Sequence, residues 1–380
     1  MFFGQLISVA KIRVHCVFWA PKPGAKIRVH PCPPRVTEKS ANKMKYSVII
    51  PVFNRPDEVE ELLGSLESQT MRDFEVVVVE DGSQITCREV VGRYSGRLDI
   101  AYYMKPNGGP GPARNYGAGH ARGDYLIILD SDCVLPPTYL EVIDSELASQ
   151  PCDAFGGPDR AHDSFSPVQK AISYSMTGFF TTGGIRGGKK KLDRFYPRSF
   201  NMGIRRDVFA ALGGFSHMRF GEDIDLSIRI VGGGYSCRLM PDAWVWHKRR
   251  TDMDKFFRQV FNSGIARINL QLRHPGSMKP VHMLPALFTI GTILLAGAAL
   301  VLRLTGSSWW LAAILPILLF CLTVFTDSAI SSRSVGIGLL SVEAAWVQLY
   351  GYGLGFISAW WKRMVMHQDE YSAYEKTFYD

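Results

Sequence analysis

Residues 46–54 read Tyr46-Ser47-Val48-Ile49-Ile50-Pro51-Val52-Phe53-Asn54, a short apolar run that closes on a polar side chain. A run of that length and composition predicts a β-strand. Directly after it Pro56 stands at a helix start, and Val59, Leu62, Leu63 and Leu66 recur at the three- and four-residue spacing of one buried helical face. Phe74–Val79 is almost continuously apolar, as expected of a strand covered on both faces. Ile100–Met104 and Tyr125–Leu129 supply two further strands, with a helix signal over Ala113–His120 between them. Strands alternating with helices predict an α/β fold built on a mostly parallel, Rossmann-like sheet. Polar residues follow three of these strands: Asn54, then Asp81, then Asp130 and Asp132. Ligands of open α/β sheets bind at the carboxyl ends of the strands, so these residues are expected to share one crevice.

The net charge of +8 on 380 residues invites a nucleic-acid or membrane-surface partner until it is divided by region. Residues 1–45 hold nine Lys/Arg and one Glu, which leaves 34 basic and 34 acidic side chains for everything after them. The basic character therefore belongs to the leader, and no nucleic-acid partner is expected for the folded body. Within residues 1–44, Lys11-Ile12-Arg13-Val14-His15 recurs as Lys26-Ile27-Arg28-Val29-His30 among prolines. Its apolar stretch precedes the charges, the wrong order for a signal peptide, so a disordered basic leader is expected. Natural translation from Met44, just before the first strand, is the sharper expectation. The seven cysteines are odd in number and contain no C-x-x-C pair, which suits neither a disulfide framework nor a zinc site and points to a reducing compartment.

Beyond residue 281 the composition changes. Met283–Leu302 is twenty residues without a charge and Leu304–Thr326 another twenty-three, each long enough to cross a bilayer core. A turn near Gly306-Ser307-Ser308 trims the second span to about 307–326. A third segment, 335–361, contains Glu343 and Gln348, both costly in hydrocarbon, and ends on the interfacial signature Trp360-Trp361-Lys362-Arg363. Gly351 and Gly355 within it would permit close helix packing. The basic flank Arg258, Arg267, Arg273 and Lys279 predicts that residues 46–281 face the cytoplasm. The expected layout is a catalytic α/β domain over 45–255, an amphipathic basic connector over 256–281, an α-helical membrane region over 282–361 and a tail over 362–380.

The chemistry centres on Leu129-Asp130-Ser131-Asp132, where an apolar strand runs into two carboxylates. Adjacent acids at a strand end repel unless a cation stands between them, and hard oxygen ligands suit Mg²⁺ or Mn²⁺. D-x-D alone also describes ordinary surface turns. Its serial context is more specific. Ser47–Asn54, Val78-Val79-Glu80-Asp81-Gly82-Ser83, Gly111-Pro112-Ala113-Arg114-Asn115, Asp130-Ser131-Asp132, Asn201-Met202-Gly203-Ile204-Arg205-Arg206 and Gly221-Glu222-Asp223 follow one another in that order. In this series residues 46–270 resemble family 2 of the nucleotide-sugar glycosyltransferases, enzymes of the GT-A fold.

The resemblance implies that Asp81 contacts the nucleobase and that Pro51–Asn54, with Val52 and Asn54 among them, line the base and ribose pocket. Asp130 and Asp132 match the metal and ribose–diphosphate contacts, with Ser131 and Asn201 also counted among the donor-binding residues. Asp223, beside Glu222, matches the general base that deprotonates the acceptor hydroxyl and inverts the anomeric carbon. Residues Glu222 and Asp223 precede Ile224, Leu226, Ile228 and Ile230, which places them at a helix N-terminus, where helix capping is the plainer role. Arg114 opens a helix after Gly108–Pro112 and would hold a phosphate there, or stand as an ordinary surface arginine. His247 is a candidate third metal ligand, since some relatives carry a histidine nearby; a structural histidine is the alternative. The glycine- and lysine-rich stretch Gly183–Lys191 reads as a loop over the site or as a solvated linker.

One departure matters: where processive synthases of that family carry Q-x-x-R-W, this chain reads Phe257-Arg258-Gln259-Val260-Phe261-Asn262. A single-addition transferase using a divalent metal, a nucleotide-diphosphate sugar and a glycan or lipid-linked saccharide acceptor at a membrane is therefore expected. A processive synthase component, a non-catalytic nucleotide-sugar-binding membrane protein and a nucleotidyltransferase are the rivals.

Overall fold

The computed structural model describes residues 45–160, 165–182, 195–248 and 251–373; the leader over 1–44 and the stretch Gly183–Lys191 lie outside them. The chain runs β1 (Tyr46–Val52), α1 (Pro56–Glu67), β2 (Phe74–Asp81), α2 (Arg88–Tyr94), β3 (Ile100–Lys105), α3 (Pro110–His120) and β4 (Tyr125–Leu129). It continues through β5 (Cys133–Val134), α4 (Tyr139–Ser149), β6 (Ala154–Gly156), β7 (Asp159–Arg160), α5 (Pro167–Thr177) and α6 (Phe179–Thr182). Then come β8 (Asn201–Arg205), α7 (Arg206–Ala211), α8 (Glu222–Gly232), β9 (Cys237–Leu239) and β10 (Val245–His247). The four helices α9 (Met253–Arg273), α10 (Leu284–Leu304), α11 (Trp310–Ser332) and α12 (Val335–Trp360) follow.

The expected sheet forms. Among the described residues it has seven strands in the order β3-β2-β1-β4-β8-β6-β9, with β3, β2, β1 and β4 parallel to one another and β8 antiparallel to both β4 and β6. Two apolar layers cover it. One packs Val48, Ile50, Val76 and Val78 against Leu62, Leu63 and Leu66 of α1 and Ile143 of α4. The other packs Ile49, Val77, Val79 and Ile128 against Ala113 and Ala118 of α3 and Leu226 and Ile230 of α8. Burial on both faces explains why β2 reads as an unbroken apolar run. A second, three-stranded sheet, β5-β10-β7, sits at the end of β4.

The two long uncharged segments become α10 and α11, with mean hydropathy 2.1 over their most apolar windows, of which only 22% and 11% are buried. A core helix of a water-soluble protein would be mostly covered, so both helices present apolar surface of the kind a bilayer accepts. Helix α12 behaves differently. It packs against α9 and α5 as well as against α10 and α11, and its glycines make close backbone contacts. A Cβ on Gly355 would stand 2.0 Å from the Phe261 carbonyl oxygen, and one on Gly264 of α9 would stand 2.2 Å from that of Tyr352. Gly351 meets Val260 of α9 as well, so the Gly351/Gly355 pair joins α12 to the connector helix.

Replacing Gly264 with alanine is expected to force α9 and α12 apart at a cost of about 1–3 kcal/mol, the usual range for overpacking. Thermal unfolding of the detergent-solubilised chain checks this against Ser263→Ala, an exposed neighbour. Equal melting temperatures would contradict the close helix contact.

Candidate active site

Four strand ends and one helix start converge. After β1, Asn54 adopts φ 55°, a left-handed conformation that asparagine tolerates better than most residues. Its side-chain oxygen accepts from the Gln84 and Ile85 N–H groups at 2.7 and 3.0 Å, while its own N–H donates to Ser83 Oγ. The turn after β1 is thereby tied to the loop after β2. Asp81 closes β2, where its carboxylate accepts from the Gly108 and Gly109 N–H groups at 2.9 and 2.7 Å and from Lys105 Nζ. Pro51 is half-buried in β1, and the Val52 side chain belongs to the apolar layer beneath it.

Arg114 is not a surface arginine. It is 3% exposed, one turn before Gly117, whose missing Cβ lets α3 close onto Ile49 and Val79. The guanidinium donates to Asp130 Oδ1 and to Glu222 Oε1, both at 2.7 Å, and its carbon lies 5.2 Å from the Phe215 ring centroid. One buried cation thus bridges the acid at the end of β4 and the acid at the start of α8. A buried cation needs such partners, and the buried Glu222 needs the cation in return.

Asp132 has different company. The register His247↔Cys133 between the antiparallel β10 and β5 sets the histidine beside the residue that follows Asp132. His247 Nε2 lies 3.1 Å from Asp132 Oδ1, and Arg55 Nη1 lies 3.0 Å from Asp132 Oδ2. The ring of His247 stacks on Phe200 with 4.8 Å between centroids. Ligand atoms of Asp132, Cys133 and His247 fall within 4.8 Å of one another. Carboxylate oxygen and imidazole nitrogen suit Mn²⁺, whereas a thiol is a softer ligand, and burial with the neighbouring carboxylates pushes Cys133 up. Asp130 is turned to Arg114 and lies outside this cluster of ligand atoms.

Helix α8 opens at Gly221, with φ 85°, and its first two residues are Glu222 and Asp223, both 6% exposed. An acid at a helix N-terminus is favoured by the exposed N–H groups there. The two acids then diverge. Burial pushes Glu222 up to about 7 against the pull of Arg114, and the negative Asp223 adds to the rise. Asp223 is also penalised by burial, but the charge and hydrogen bond of Arg198 (Nε to Oδ2, 2.6 Å) hold it below the usual carboxylate range. The two neighbouring acids are therefore pushed in opposite directions.

A raised carboxyl favours the folded state when protonated. The contribution of Glu222 is complete below its ordinary value of 4.5 and is lost as pH rises through about 7. The melting temperature of the protein is expected to fall between pH 5 and pH 8 by more than that of Glu222→Gln, whose amide does not titrate. Parallel curves for the two proteins would contradict this assignment.

Ser131 is buried between the two aspartates of the D-x-D turn. The amide of Asn201, 1% exposed, is engaged at both ends inside the protein, donating to the Ala243 carbonyl at 2.8 Å and accepting from Tyr139 Oη at 2.7 Å. Arg55 and Arg198 were not anticipated from sequence. Arg55 follows Asn54 directly, which is a positional hint; Arg198 lies far from Asp223 in sequence and has no such signal.

The glycosyl transferase family 2 profile matches residues 47–213. The glycosyltransferase AglE of Haloferax volcanii is 26% identical over 250 residues, spanning 64% of this chain and 80% of that protein. The poly(ribitol-phosphate) beta-N-acetylglucosaminyltransferase TarS of Staphylococcus aureus is 38% identical over 93 residues, which is 23% of this chain but only 16% of TarS. Among solved structures, the mannosyltransferase PcManGT from Pyrobaculum calidifontis, in complex with GDP-Man and Mn²⁺, superposes with a TM-score of 0.50 at 19% identity over 85% of this chain and 88% of that one. That likeness shows the shared fold. With the motifs in series on a mostly parallel sheet, residues 47–213 form a glycosyl transferase family 2 domain, and the sheet has the GT-A fold.

Proposed function

We propose that the protein moves a sugar from a nucleoside diphosphate sugar to a hydroxyl of a membrane-associated or cell-envelope glycan, with inversion at the anomeric carbon. The observation that carries this reading is the Arg114 bridge, which brings the strand-end acid Asp130 and the helix-start pair Glu222–Asp223 into one site. Donor and acceptor chemistry would then meet across a single buried cation.

The donor lies along the strand ends, with its base and ribose at Pro51–Asn54 and Asp81 and its diphosphate near Asp130, Ser131 and Asp132. Asp132 and His247, together with Asp130, would hold a Mn²⁺ or Mg²⁺ ion. When bound, that ion supplies positive charge to the diphosphate leaving group. Asp223 takes the proton of the acceptor hydroxyl, and Arg198 keeps it ionised until the acceptor arrives. Glu222, held by Arg114, positions the start of α8.

Three further observations support the setting. PcManGT is described with GDP-Man and Mn²⁺, and TarS acts on poly(ribitol-phosphate). Helices α10 and α11 present apolar surface next to the catalytic domain. The basic flank of Arg258, Arg267, Arg273 and Lys279 favours a multi-pass arrangement with the catalytic domain cytoplasmic.

A panel of UDP- and GDP-sugars with Mn²⁺ or Mg²⁺, scored by nucleotide release, tests the proposal. At least one donor is expected to release nucleotide, to stop doing so with EDTA and to recover with added Mn²⁺. No release from any donor would count against the donor class, and release indifferent to EDTA against the metal.

A further inference from the structure

A second cleft adjoins the catalytic acids. It encloses about 250 Å³ and is lined by His217, Arg219 and Phe220 on one side, Ala266 and Asn269 of α9 on another, and Tyr371 on a third. Phe220 stands two residues before Glu222, and a Cβ on the intervening Gly221 would lie 3.3 Å from both Ala266 and Leu270. Helix α9 is therefore seated directly behind the start of α8, which His274 Nε2 also joins through Asp225 Oδ1 at 2.8 Å. Arg219 reaches the opposite rim, since a Cβ on Gly109, whose N–H holds Asp81, would meet its guanidinium.

The outer wall of the cleft is a strap of chain after α12. Positions 262, 266, 269 and 273 share one face of α9, and the strap binds along it. Ala373 N donates to Asn262 Oδ1 at 2.8 Å, Asn269 Nδ2 donates to the Tyr371 carbonyl at 3.3 Å, and Arg273 pairs with Glu370 at 3.0 Å. The Tyr371 hydroxyl lies 3.0 Å from Ser358 Oγ, and Lys362 lies 4.4 Å from its ring centroid. Ile265 and Ile268 of α9 meanwhile pack with Ala286 of α10 and Phe356 of α12. One helix thus joins the cleft to the apolar helices.

Asn269 identifies the ligand chemistry. It is 4% exposed, and its Oδ1 is buried without a hydrogen-bond partner. A buried acceptor with no donor is costly and asks for a ligand that supplies one. Sugar hydroxyls donate, whereas phosphate offers mainly acceptor oxygens, which leave Oδ1 without a donor. Phe220 and Tyr371 add aromatic surface, the usual lining of a small-molecule site that has a few placed polar groups.

We propose that this cleft is the acceptor-saccharide subsite, in which Asn269 accepts a hydrogen bond from a sugar hydroxyl and the 370–373 strap forms a wall. The inference rests on the transferase reading above and adds where, and by which residues, the acceptor sugar is held.

The test is saturation-transfer NMR on the full chain in detergent, with methyl glycosides of a hexose, an N-acetylhexosamine and a 6-deoxyhexose as probes and inorganic phosphate as a separate arm. At least one glycoside is expected to take up saturation. Its signal should fall at least fivefold in Asn269→Ala and in Ser372→Trp, which fills the cleft from the strap side, and persist in Asn269→Asp, which keeps an acceptor oxygen. No glycoside signal from the unmodified protein overturns the proposal, as does a signal indifferent to both variants. Asn269-dependent phosphate binding in place of glycoside binding also overturns it. Nucleotide release by the UDP- and GDP-sugar panel in the same preparations judges the transferase reading separately. Glycoside binding without release sinks that reading alone, and release without glycoside binding sinks this one alone.

Discussion

Asp223→Asn is expected to lower the rate of sugar transfer by about 10²- to 10⁴-fold, the usual range for losing a general base. An amide has the shape of the carboxylate but does not take up the acceptor proton. Donor affinity should change by less than about twofold, because Asp223 is hydrogen-bonded to Arg198 and the N–H of Ile224 and to none of the strand-end residues. Calorimetric titration with the donor nucleotide, run beside the transfer assay, separates the two effects. Transfer within tenfold of the unmodified enzyme would move the base elsewhere, with Glu222 the first alternative. The ionisation state also points to Asp223: Arg198 holds it below the usual carboxylate range, while burial pushes Glu222 up to about 7.

Arg114→Leu is expected to destabilise the fold by about 3–5 kcal/mol, the cost of removing one partner from a buried charge cluster. Asp130 and Glu222 would lose the cation that both contact at 2.7 Å, and Glu222 has little access to water to replace it. The melting temperature of the solubilised protein measures the loss. A double variant, Arg114→Leu with Glu222→Gln, should recover part of it, because the neutral amide no longer needs the cation. A single variant within about 0.5 kcal/mol of the unmodified protein would mean that the bridge contributes little.

The alternation of strands and helices was legible because β1, β2 and β4 are almost wholly buried runs and α1 has a clean apolar face. The strand-end acids were legible for the same reason: a strand that ends in a carboxylate has few places to put it. Contacts between distant segments were not. Strands β5 and β10 have only two and three residues, too short for periodicity to reveal, yet their register sets His247 against Asp132. Arg114 was recognisable as a helix opener, but its burial follows from the close approach of Gly117 to the sheet, which one sequence does not disclose. Arg198 reaches Asp223 across a long sequence separation with no pattern to announce it. Glu343 and Gln348 did mark α12 as unlike its two neighbours, and that helix is the one most closely packed against α9.

The anomeric configuration of the transferred sugar tests the central claim most directly. Once the donor panel has given an active nucleotide sugar, the product can be released from the membrane fraction and its anomeric proton coupling read by NMR. A single displacement driven by Asp223 predicts a configuration opposite to that of the donor, and a product that retains the donor's configuration would contradict it.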